Sequence, residues 1–433
     1  MPAGAASLAR QPSGPGDNGR MTTRTPVLIG LLCLAGLTPG AISPIAAGSD
    51  EPPPVFTAAQ LLAPAQLNGP HFTLADEVVT EGYYHVFTIR SDFGEFEAEG
   101  RTMLAVRLRE VEALAALDEV SKTEVFLKAA GTSVLNLGKG VATAVTKPTE
   151  TAKGVGSGVK RFGVNLGRMT KRTMDSATGE DPAEASKQGG NAAVSAGKSL
   201  VGISRASRRW AQKLGVDPYT TNAVLKKALD DIGEIDAAGS IATKVVLPIP
   251  GVVGMTATVS GLVWSKDPEE LRKLNEQRLR ELGVPEATAG LLFRNSAMTL
   301  TLETRLIGAL HALGLPGSAG RVAAAARAGH PREALFHVES AELLQQRHAK
   351  TRFTRLLTDS SATVAATAGG QAAVLLPLDW VRWTAAAEST LREIDARART
   401  ELKAASLEIL LTGTASSRAA RELAARGWRV LPS

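Results

Sequence analysis

Cysteine is almost absent from this sequence, which has only Cys33 among its 433 residues. A lone thiol excludes an intramolecular disulfide and any metal site built from several cysteines. Aromatic residues make up only 4% of the chain, so the core must consist mainly of alanine, valine and leucine. Hydrophobic residues at 44% and charged residues at 21% are nevertheless ordinary for a globular protein, and they exclude a wholly disordered chain.

An export signal is predicted within residues 1–47. Arg24 supplies positive charge, residues 27–37 form an apolar run, and residues 45–47 place small side chains before a cleavage site. The apolar run is too short to cross a bilayer as a stable helix. We therefore predict an exported protein of the periplasm or cell envelope, with an uncleaved N-terminal anchor as the alternative.

Positive charge is concentrated in about one tenth of the chain. The protein carries a net charge of +6, from 49 basic and 43 acidic residues. Residues 131–174 hold eight basic residues and one acid, Glu150, so this stretch carries +7 and the remainder sums to −1. Glycine and valine recur through it, and five apolar residues follow helical steps of four, three, four and three. These five are Val155, Val159, Phe162, Leu166 and Met169.

A cationic helix with a modest apolar stripe is typical of segments that lie on anionic lipid. The predicted lipid-binding residues are Lys139, Lys147, Lys153, Val155, Val159, Lys160, Arg161, Phe162, Leu166, Arg168, Lys171 and Arg172. Nucleic acid is an alternative ligand for such charge, but an exported location and the lack of aromatic stacking platforms argue against it. A second alternative is a partly buried helix whose lysines only keep it soluble.

Residues 245–265 carry no charge between Lys244 and Lys266. Their number would allow a membrane span, but Pro248 and Pro250 interrupt a helix. We expect a buried hinge or a re-entrant segment, which would offer a second contact with lipid.

The rest of the sequence predicts an α+β fold, mainly helical, with an N-terminal β-hairpin, long helices and a small C-terminal α/β domain. The hairpin is expected from residues 83–90 and 95–98 around a turn at 91–94. Thr102 is predicted to cap the long helix that follows. The expected divisions are a leader and signal (1–47), a linker, hairpin and helix (48–130), the basic segment and linker (131–200), a helical domain (201–350) and the α/β domain (351–433).

The C-terminal domain is predicted from a hairpin and an alternation of strands and helices. Gly369-Gly370 separates two apolar β-forming runs, which is a hairpin signal. The elements expected after it are a helix at 384–402, a strand at 407–411, a helix at 416–426 and a strand at 428–431.

Few residues in the sequence suggest a metal-binding or catalytic role. The six histidines lack metal-site spacing, and His337 and His348, eleven residues apart on one helix, are interpreted as surface or interface residues. Asp379 follows an apolar strand, where catalytic acids often lie, but it is also placed to cap a helix beginning at Trp380.

The loop between the predicted strand and helix is a weak candidate for binding an anion, through backbone N–H groups and hydroxyls. Its candidate residues are Thr412, Gly413, Thr414 and Ser416. Ser416 as a simple N-cap is the stronger interpretation. We predict no metal site and no cofactor.

Part of the basic stretch resembles a known repeat. Gly140-Val141, Val145 to Pro148, Gly154-Val155 and Gly158-Val159 are similar to the Gly-Val and Lys-Pro repeats of chorein-type lipid-transfer proteins, over residues 138–167. In that family the repeats are associated with lipid surfaces, and the resemblance implies the same contact here.

The whole chain also resembles uncharacterised exported bacterial proteins. The residues that carry this resemblance are the hairpin turn 90–94, the Asp-Pro-Tyr-Thr-Thr-Asn run at 217–222 and the Leu-Thr-Gly run at 411–413. No activity follows from it.

The predicted function is peripheral association of an exported envelope protein with anionic phospholipid, without catalysis. The alternatives are an envelope hydrolase or ligand-binding enzyme that uses Asp379 and residues 412–417, and a scaffold that binds a protein partner.

Overall fold

The computed structural model describes residues 50–123, 204–239 and 255–432. In these ranges helices predominate over two main sheets, which confirms the predicted mainly helical α+β class. The export signal, the basic stretch 131–174 and residues 245–254 lie outside the described residues.

The N-terminal region is a six-stranded antiparallel sheet with strand order β1-β4-β5-β3-β2 and β6 paired to β5. Its elements are β1 (Val55–Thr57), α1 (Ala58–Leu61), a 3-10 turn (Pro64–Gln66), β2 (Asn68–Gly69), β3 (Phe72–Leu74), β4 (Glu77–Glu81), β5 (Tyr84–Ser91) and β6 (Gly94–Glu99). The predicted hairpin is confirmed as β5 and β6, which pair from Val86↔Glu99 to Ser91↔Gly94. Sequence periodicity did not reveal the other four strands, because they are too short to show a clear alternation.

The predicted long helix is α2 (Arg101–Ser121). Its N-cap is Gly100, so the expected cap at Thr102 was wrong and Thr102 lies inside the first turn. The beginning of α2 packs on the sheet through Leu104, whereas Leu114 and Leu117 near its end pack against later helices. One amphipathic helix therefore joins the sheet to the helical region.

Eight further helices occupy the middle of the described chain. They are α3 (Arg205–Leu214), α4 (Ala223–Gly239), α5 (Ala257–Ser265), α6 (Pro268–Glu281), α7 (Glu286–Arg294), α8 (Leu300–Leu313), α9 (Ser318–Ala325) and α10 (Pro331–His348). Within the residues that the structure covers, no helix combines the length and the apolar character that a membrane crossing needs. The described end of the uncharged run is α5, a nine-residue helix.

The C-terminal region is a five-stranded mixed sheet covered on both faces. Its elements are β7 (Phe353–Leu356), β8 (Thr363–Thr367), β9 (Gln371–Leu376), β10 (Trp380–Val381), α11 (Ala385–Glu401), β11 (Ser406–Leu411), β12 (Thr414–Ala415), α12 (Ser417–Ala425) and β13 (Trp428–Pro432). The strand order is β13-β11-β9-β8-β7, and β9, β11 and β13 are parallel. The predicted hairpin of β8 and β9 is confirmed, as is the strand–helix–strand ending.

The C-terminal sheet has a hydrophobic core on each face, because successive residues along its strands point to opposite sides. Val364 and Ala366 of β8 face one core cluster together with Ile394 of α11, while Ala365 between them faces the cluster that contains Leu306 of α8. Because successive strand residues point to opposite faces, a fully apolar strand needs helices on both sides.

Candidate functional site

The loop predicted to bind an anion is packed against the strand before it. Thr412 Oγ1 donates to the carbonyl of Leu378 at 3.1 Å, and the Thr414 amide donates to the carbonyl of Asp379 at 2.9 Å. A Cβ at Gly413 would lie 2.5 Å from the Leu378 carbonyl oxygen, so only glycine fits there. Ser416 caps α12 by accepting from the Ala419 amide at 2.9 Å, as its stronger interpretation predicted.

The anionic group at this loop is a carboxylate of the chain itself. Ser416 Oγ donates to Glu51 Oε2 at 2.6 Å, and the same oxygen accepts from the backbone N–H of Trp383. One residue earlier, Asp50 accepts from the Ala385 amide at 2.8 Å. Asp50 and Glu51 were not predicted as functional residues, because in the sequence they are simply two acids in a proline-rich linker.

The Asp379 carboxylate accepts hydrogen bonds from backbone amides of other segments. Its side chain is 8% exposed, and Oδ2 accepts from the His85 amide at 3.0 Å. Oδ1 lies 3.5 Å from the amide of Arg101, the first residue of α2. The expected helix at Trp380 was wrong, since Trp380 lies in β10, which pairs with Thr414 and its neighbour in β12. Asp379 thus joins the C-terminal sheet to the start of α2, where the helix dipole favours a negative charge.

His85 lies beside Asp379, but its ring does not bind the carboxylate. The ring is buried, and its Nδ1 lies 3.0 Å from Thr80 Oγ1. Burial lowers the pKa of His85, and the negative charge of Asp379 opposes that shift. The carboxylate and the ring therefore lack the hydrogen bond that orients a catalytic histidine.

His337 was wrongly predicted as a surface or interface residue. It is 5% exposed, and its Nδ1 lies 3.2 Å from a guanidinium nitrogen of Arg321. Arg321 also donates to the carbonyls of Ser360 and Ala362, the latter at 3.0 Å. Burial lowers the pKa of Arg321 to about 10, while burial and the nearby Arg321 lower the pKa of His337 to about 3. A neutral histidine thus supports a buried arginine that fastens the loop before β8.

Among the residues described, no three histidine, cysteine or carboxylate side chains gather as a metal site would require. A shallow groove of about 260 Å³ lies between α11, α12 and β13. Its lining is Leu391, Arg392, Asp395, Arg399, Leu423, Arg426 and Trp428, which includes neither Asp379 nor the 412–416 loop.

The Asp-Pro-Tyr-Thr-Thr-Asn run forms a polar junction at the turn between α3 and α4. Asp217 Oδ1 accepts from Thr301 Oγ1 of α8 at 2.6 Å. Thr220 and Asn222 both donate to Glu110 of α2, the latter at 3.1 Å. Burial raises the pKa of Asp217 to about 6. This turn therefore fastens one end of α3 and α4 to both α2 and α8.

Helices α3 and α4 run antiparallel. Gly233, near the end of α4, lies against Ser207 in the first turn of α3, where an added Cβ would be 2.9 Å from the Ser207 backbone nitrogen. Arg209 and Asp236 form an ion pair of 3.3 Å at the same level. The end of α4 therefore lies beside the beginning of α3.

Helices α2 and α5 also pack against α3 and α4. Trp264, near the end of α5, donates to the carbonyl of Val216 just beyond α3 at 3.0 Å. Val259 and Val263 of α5 are buried in one cluster with Tyr219 of the α3–α4 turn and Leu300 of α8. Glu110 meets the start of α4, and Val120 is buried with Ile235 in one cluster, so α2 runs with α4. At 1.5 Å per residue, the stretches from Glu110 to Ser121 and from Asn222 to Gly233 are equally long.

The ends of α2 and α4 and the beginning of α3 therefore lie in one region of the fold. Residues 124–203 connect α2 to α3, and residues 240–254 connect α4 to α5. Every predicted lipid-binding residue, from Lys139 to Arg172, falls in the first of these connections and lies outside the described residues.

Comparisons with known proteins return no family. No protein-family model matches the chain, and no curated protein or solved structure matches it at a significant level.

Proposed function

We propose that this protein is exported to the cell envelope and binds anionic membrane surfaces peripherally, without catalysing a reaction. The observation that carries the proposal is the net charge of +7 in residues 131–174 beside −1 in all the rest. Each lysine or arginine near an anionic surface contributes about 1 kcal/mol. Such a stretch can therefore hold the protein at a membrane even with a modest apolar stripe.

The described residues that suggested an enzyme as the alternative are better explained without catalysis, which supports the proposal. The Ser416 and Thr412 hydroxyls and the Asp379 carboxylate all have partners within the protein. A nucleophile or a general base must instead reach the substrate. Residues 412–416 and Asp379 hold segments of the chain together.

Flotation with vesicles tests the proposal. The full-length chain is mixed with neutral vesicles or with vesicles containing anionic phospholipid, at low and at high salt. We expect recovery with the anionic vesicles, lost at high salt because exposed charges are screened. The neutral vesicles control for the apolar run at 27–37. Equal recovery with the two kinds of vesicle at low salt would overturn the proposal.

A matched pair of variants locates the interaction. The first variant carries Lys153→Gln, Lys160→Gln and Arg161→Gln. The control removes the same charge from exposed positions elsewhere, with Arg280→Gln, Lys350→Gln and Arg421→Gln. At about 1 kcal/mol per residue, the first variant should bind on the order of a hundredfold more weakly. If both variants bind anionic vesicles equally weakly, net charge alone matters and residues 131–174 are not the binding segment.

A further inference from the structure

We infer that residues 382–385 and Ser416 form a binding site for an extended acidic segment of a partner protein, which the chain's own residues 50–54 block as an internal ligand. We call residues 50–54, with the sequence Asp-Glu-Pro-Pro-Pro, the acidic strap, and residues 382–385 with Ser416 the strap site. The inference is independent of the proposed membrane binding, because every residue in it belongs to the N-terminal linker or to the C-terminal sheet region.

The backbone of the acidic strap is bound much as an added strand would be. The Glu51 amide donates to the Trp383 carbonyl at 3.0 Å. The Glu51 carbonyl accepts from Nη1 of Arg382 at 2.7 Å. Extended peptides are commonly recognised through main-chain hydrogen bonds for affinity and side-chain contacts for specificity. The strap site therefore binds a peptide backbone, which a free anion does not have.

Two adjacent carboxylates give the strap site its specificity. Glu51 accepts from the Trp383 amide and from the hydroxyl of Ser416, a buried residue. Asp50 accepts at 2.8 Å from the amide of Ala385, the first residue of α11. Because Ser416 is the N-cap of α12, the N-termini of two helices lie against these carboxylates, and helix N-termini attract negative charge. The ligand chemistry that fits is therefore an Asp-Glu pair in an extended chain.

The strap site is formed without the acidic strap. Thr384 caps α11 by accepting from the Ala387 amide at 3.0 Å, and Ser416 caps α12 by accepting from the Ala419 amide at 2.9 Å. The Ser416 amide also donates to the carbonyl of Val381 at 2.8 Å, which holds the start of α12 beside the segment that leads into α11. Since none of these bonds involves the strap, its departure leaves a preorganised site, and preorganisation favours binding.

The acidic strap is attached in a way that allows it to leave. Its hydrogen bonds with the strap site come from Asp50 and Glu51, whereas Pro52 and Pro53 are exposed. Proline also has no amide hydrogen to donate. The strand β1 begins directly after the strap and pairs with β4, although its Val55 is 63% exposed. Release of two residues therefore opens the site without unpairing the N-terminal sheet.

Binding of a strap peptide tests the inference. The full-length chain with Asp50→Ala and Glu51→Ala has an open site, and the probe is acetyl-Asp-Glu-Pro-Pro-Pro-amide. Binding is followed by tryptophan fluorescence, since Trp383 lies in the site, and by the shift in thermal midpoint. An internal ligand on a short linker acts at an effective concentration of about 1 mM. We therefore expect saturation of the double variant below about 1 mM peptide, and binding about tenfold weaker in the parent.

Three controls separate peptide recognition from general attraction. The peptide acetyl-Asn-Gln-Pro-Pro-Pro-amide lacks the charges and inorganic phosphate lacks the backbone, so neither should stabilise the double variant as the strap peptide does. In the double variant, Arg382→Gln should weaken binding of the strap peptide, because it removes the donor to the peptide carbonyl. Arg421→Gln removes the same charge from an exposed position on α12 and should leave binding unchanged.

A second variant covers the case in which the double substitution unfolds the protein. Glu51→Ala alone frees the Trp383 amide and the Ser416 hydroxyl while Asp50 stays, and circular dichroism establishes that the variant is folded. The inference is overturned if the strap peptide does not bind a folded variant, or if the Asn-Gln peptide or phosphate binds equally well. Equal loss of binding in Arg382→Gln and Arg421→Gln would overturn it too, since charge alone would then explain the attraction.

Discussion

Ser416 and Glu51 are 365 positions apart in the chain, yet the serine hydroxyl donates a hydrogen bond of 2.6 Å to the glutamate carboxylate. Asp50 lies beside the first turn of α11, as Glu51 lies beside the first turn of α12. A negative charge at a helix N-terminus is favourable because the first amides have no partner within the helix. The first described residues are thereby fastened to the C-terminal sheet region.

Removing the Glu51 carboxylate should lower the stability of the C-terminal sheet region. For Glu51→Ala we expect a loss of about 1–3 kcal/mol, because the Ser416 hydroxyl and the Trp383 amide lose their acceptor. Glu51→Gln should lose less, since one oxygen remains. The measurement is the urea midpoint followed by tryptophan fluorescence. Glu393→Ala, at a carboxylate whose side chain is 65% exposed, is the control, and an equal effect of Glu51→Ala and Glu393→Ala would contradict the prediction.

His337 should make stability depend on pH on the acidic side. Its pKa is about 3 in the folded protein, below its ordinary 6.5. Between these values the unfolded chain binds the proton and the folded protein does not, so stability is complete above about pH 6.5 and falls as the pH drops toward 3. The slope should reach about 1.4 kcal/mol per pH unit. In His337→Asn, which keeps a hydrogen-bond acceptor, this part of the pH dependence should disappear; parallel curves for the two proteins would refute the assignment.

Glu303 should produce the opposite dependence. Burial raises the pKa of Glu303 to about 8, although Arg272 lies 3.4 Å away and opposes the shift. The folded protein keeps this proton at pH values where the unfolded chain has released it, so stability falls as the pH rises from about 4.5 through 8. Glu303→Gln should remove this loss and be more stable than the parent at alkaline pH. Glu269→Gln, at an exposed carboxylate, is the control in thermal unfolding across pH, and a Glu303→Gln curve that follows the parent would show that Glu303 is ionised in the fold.

Alanine substitutions at two glycines test how closely α3 and α4 pack. Gly233→Ala places a methyl group against Ser207 of α3, so we expect a loss of 1–3 kcal/mol (about the cost of overpacking a core). Gly261→Ala, on α5 with no heavy atom within 4 Å of its added Cβ, should instead stabilise by roughly 0.5–1 kcal/mol through helix propensity. Thermal unfolding of the two variants measures both effects. A neutral Gly233→Ala would mean that α3 and α4 are farther apart than described.

Local patterns predicted much of the fold because their causes are local. The β5–β6 hairpin followed from aromatic and β-branched residues around a Ser-Asp-Phe-Gly turn. The β8–β9 hairpin followed from Gly369-Gly370, and α12 followed from Ser416, whose side chain satisfies an amide three residues later. Strands of two or three residues such as β2 and β3 carry no comparable signal, because long-range pairing and not local propensity stabilises them.

The candidate sites were harder to predict, because their chemistry depends on partners far away in the chain. Asp379 looked like a catalytic acid or a local cap, yet it accepts from His85, 294 positions earlier. His337 was predicted to be a surface or interface residue, but it is buried with Arg321 against its ring. Burial and hydrogen-bond partners decide the role of a polar side chain, and neither can be read from neighbouring residues.

The sequence alone determined which segments could become helices or hairpins and where positive charge is concentrated, since propensity, turn chemistry and composition belong to the chain itself. Only the tertiary structure decided that Glu51 accepts a hydrogen bond from Ser416 and that the Asp379 carboxylate lies at the first amide of α2. These are contacts between distant residues, and they exist only once apolar burial has brought the helices and sheets together.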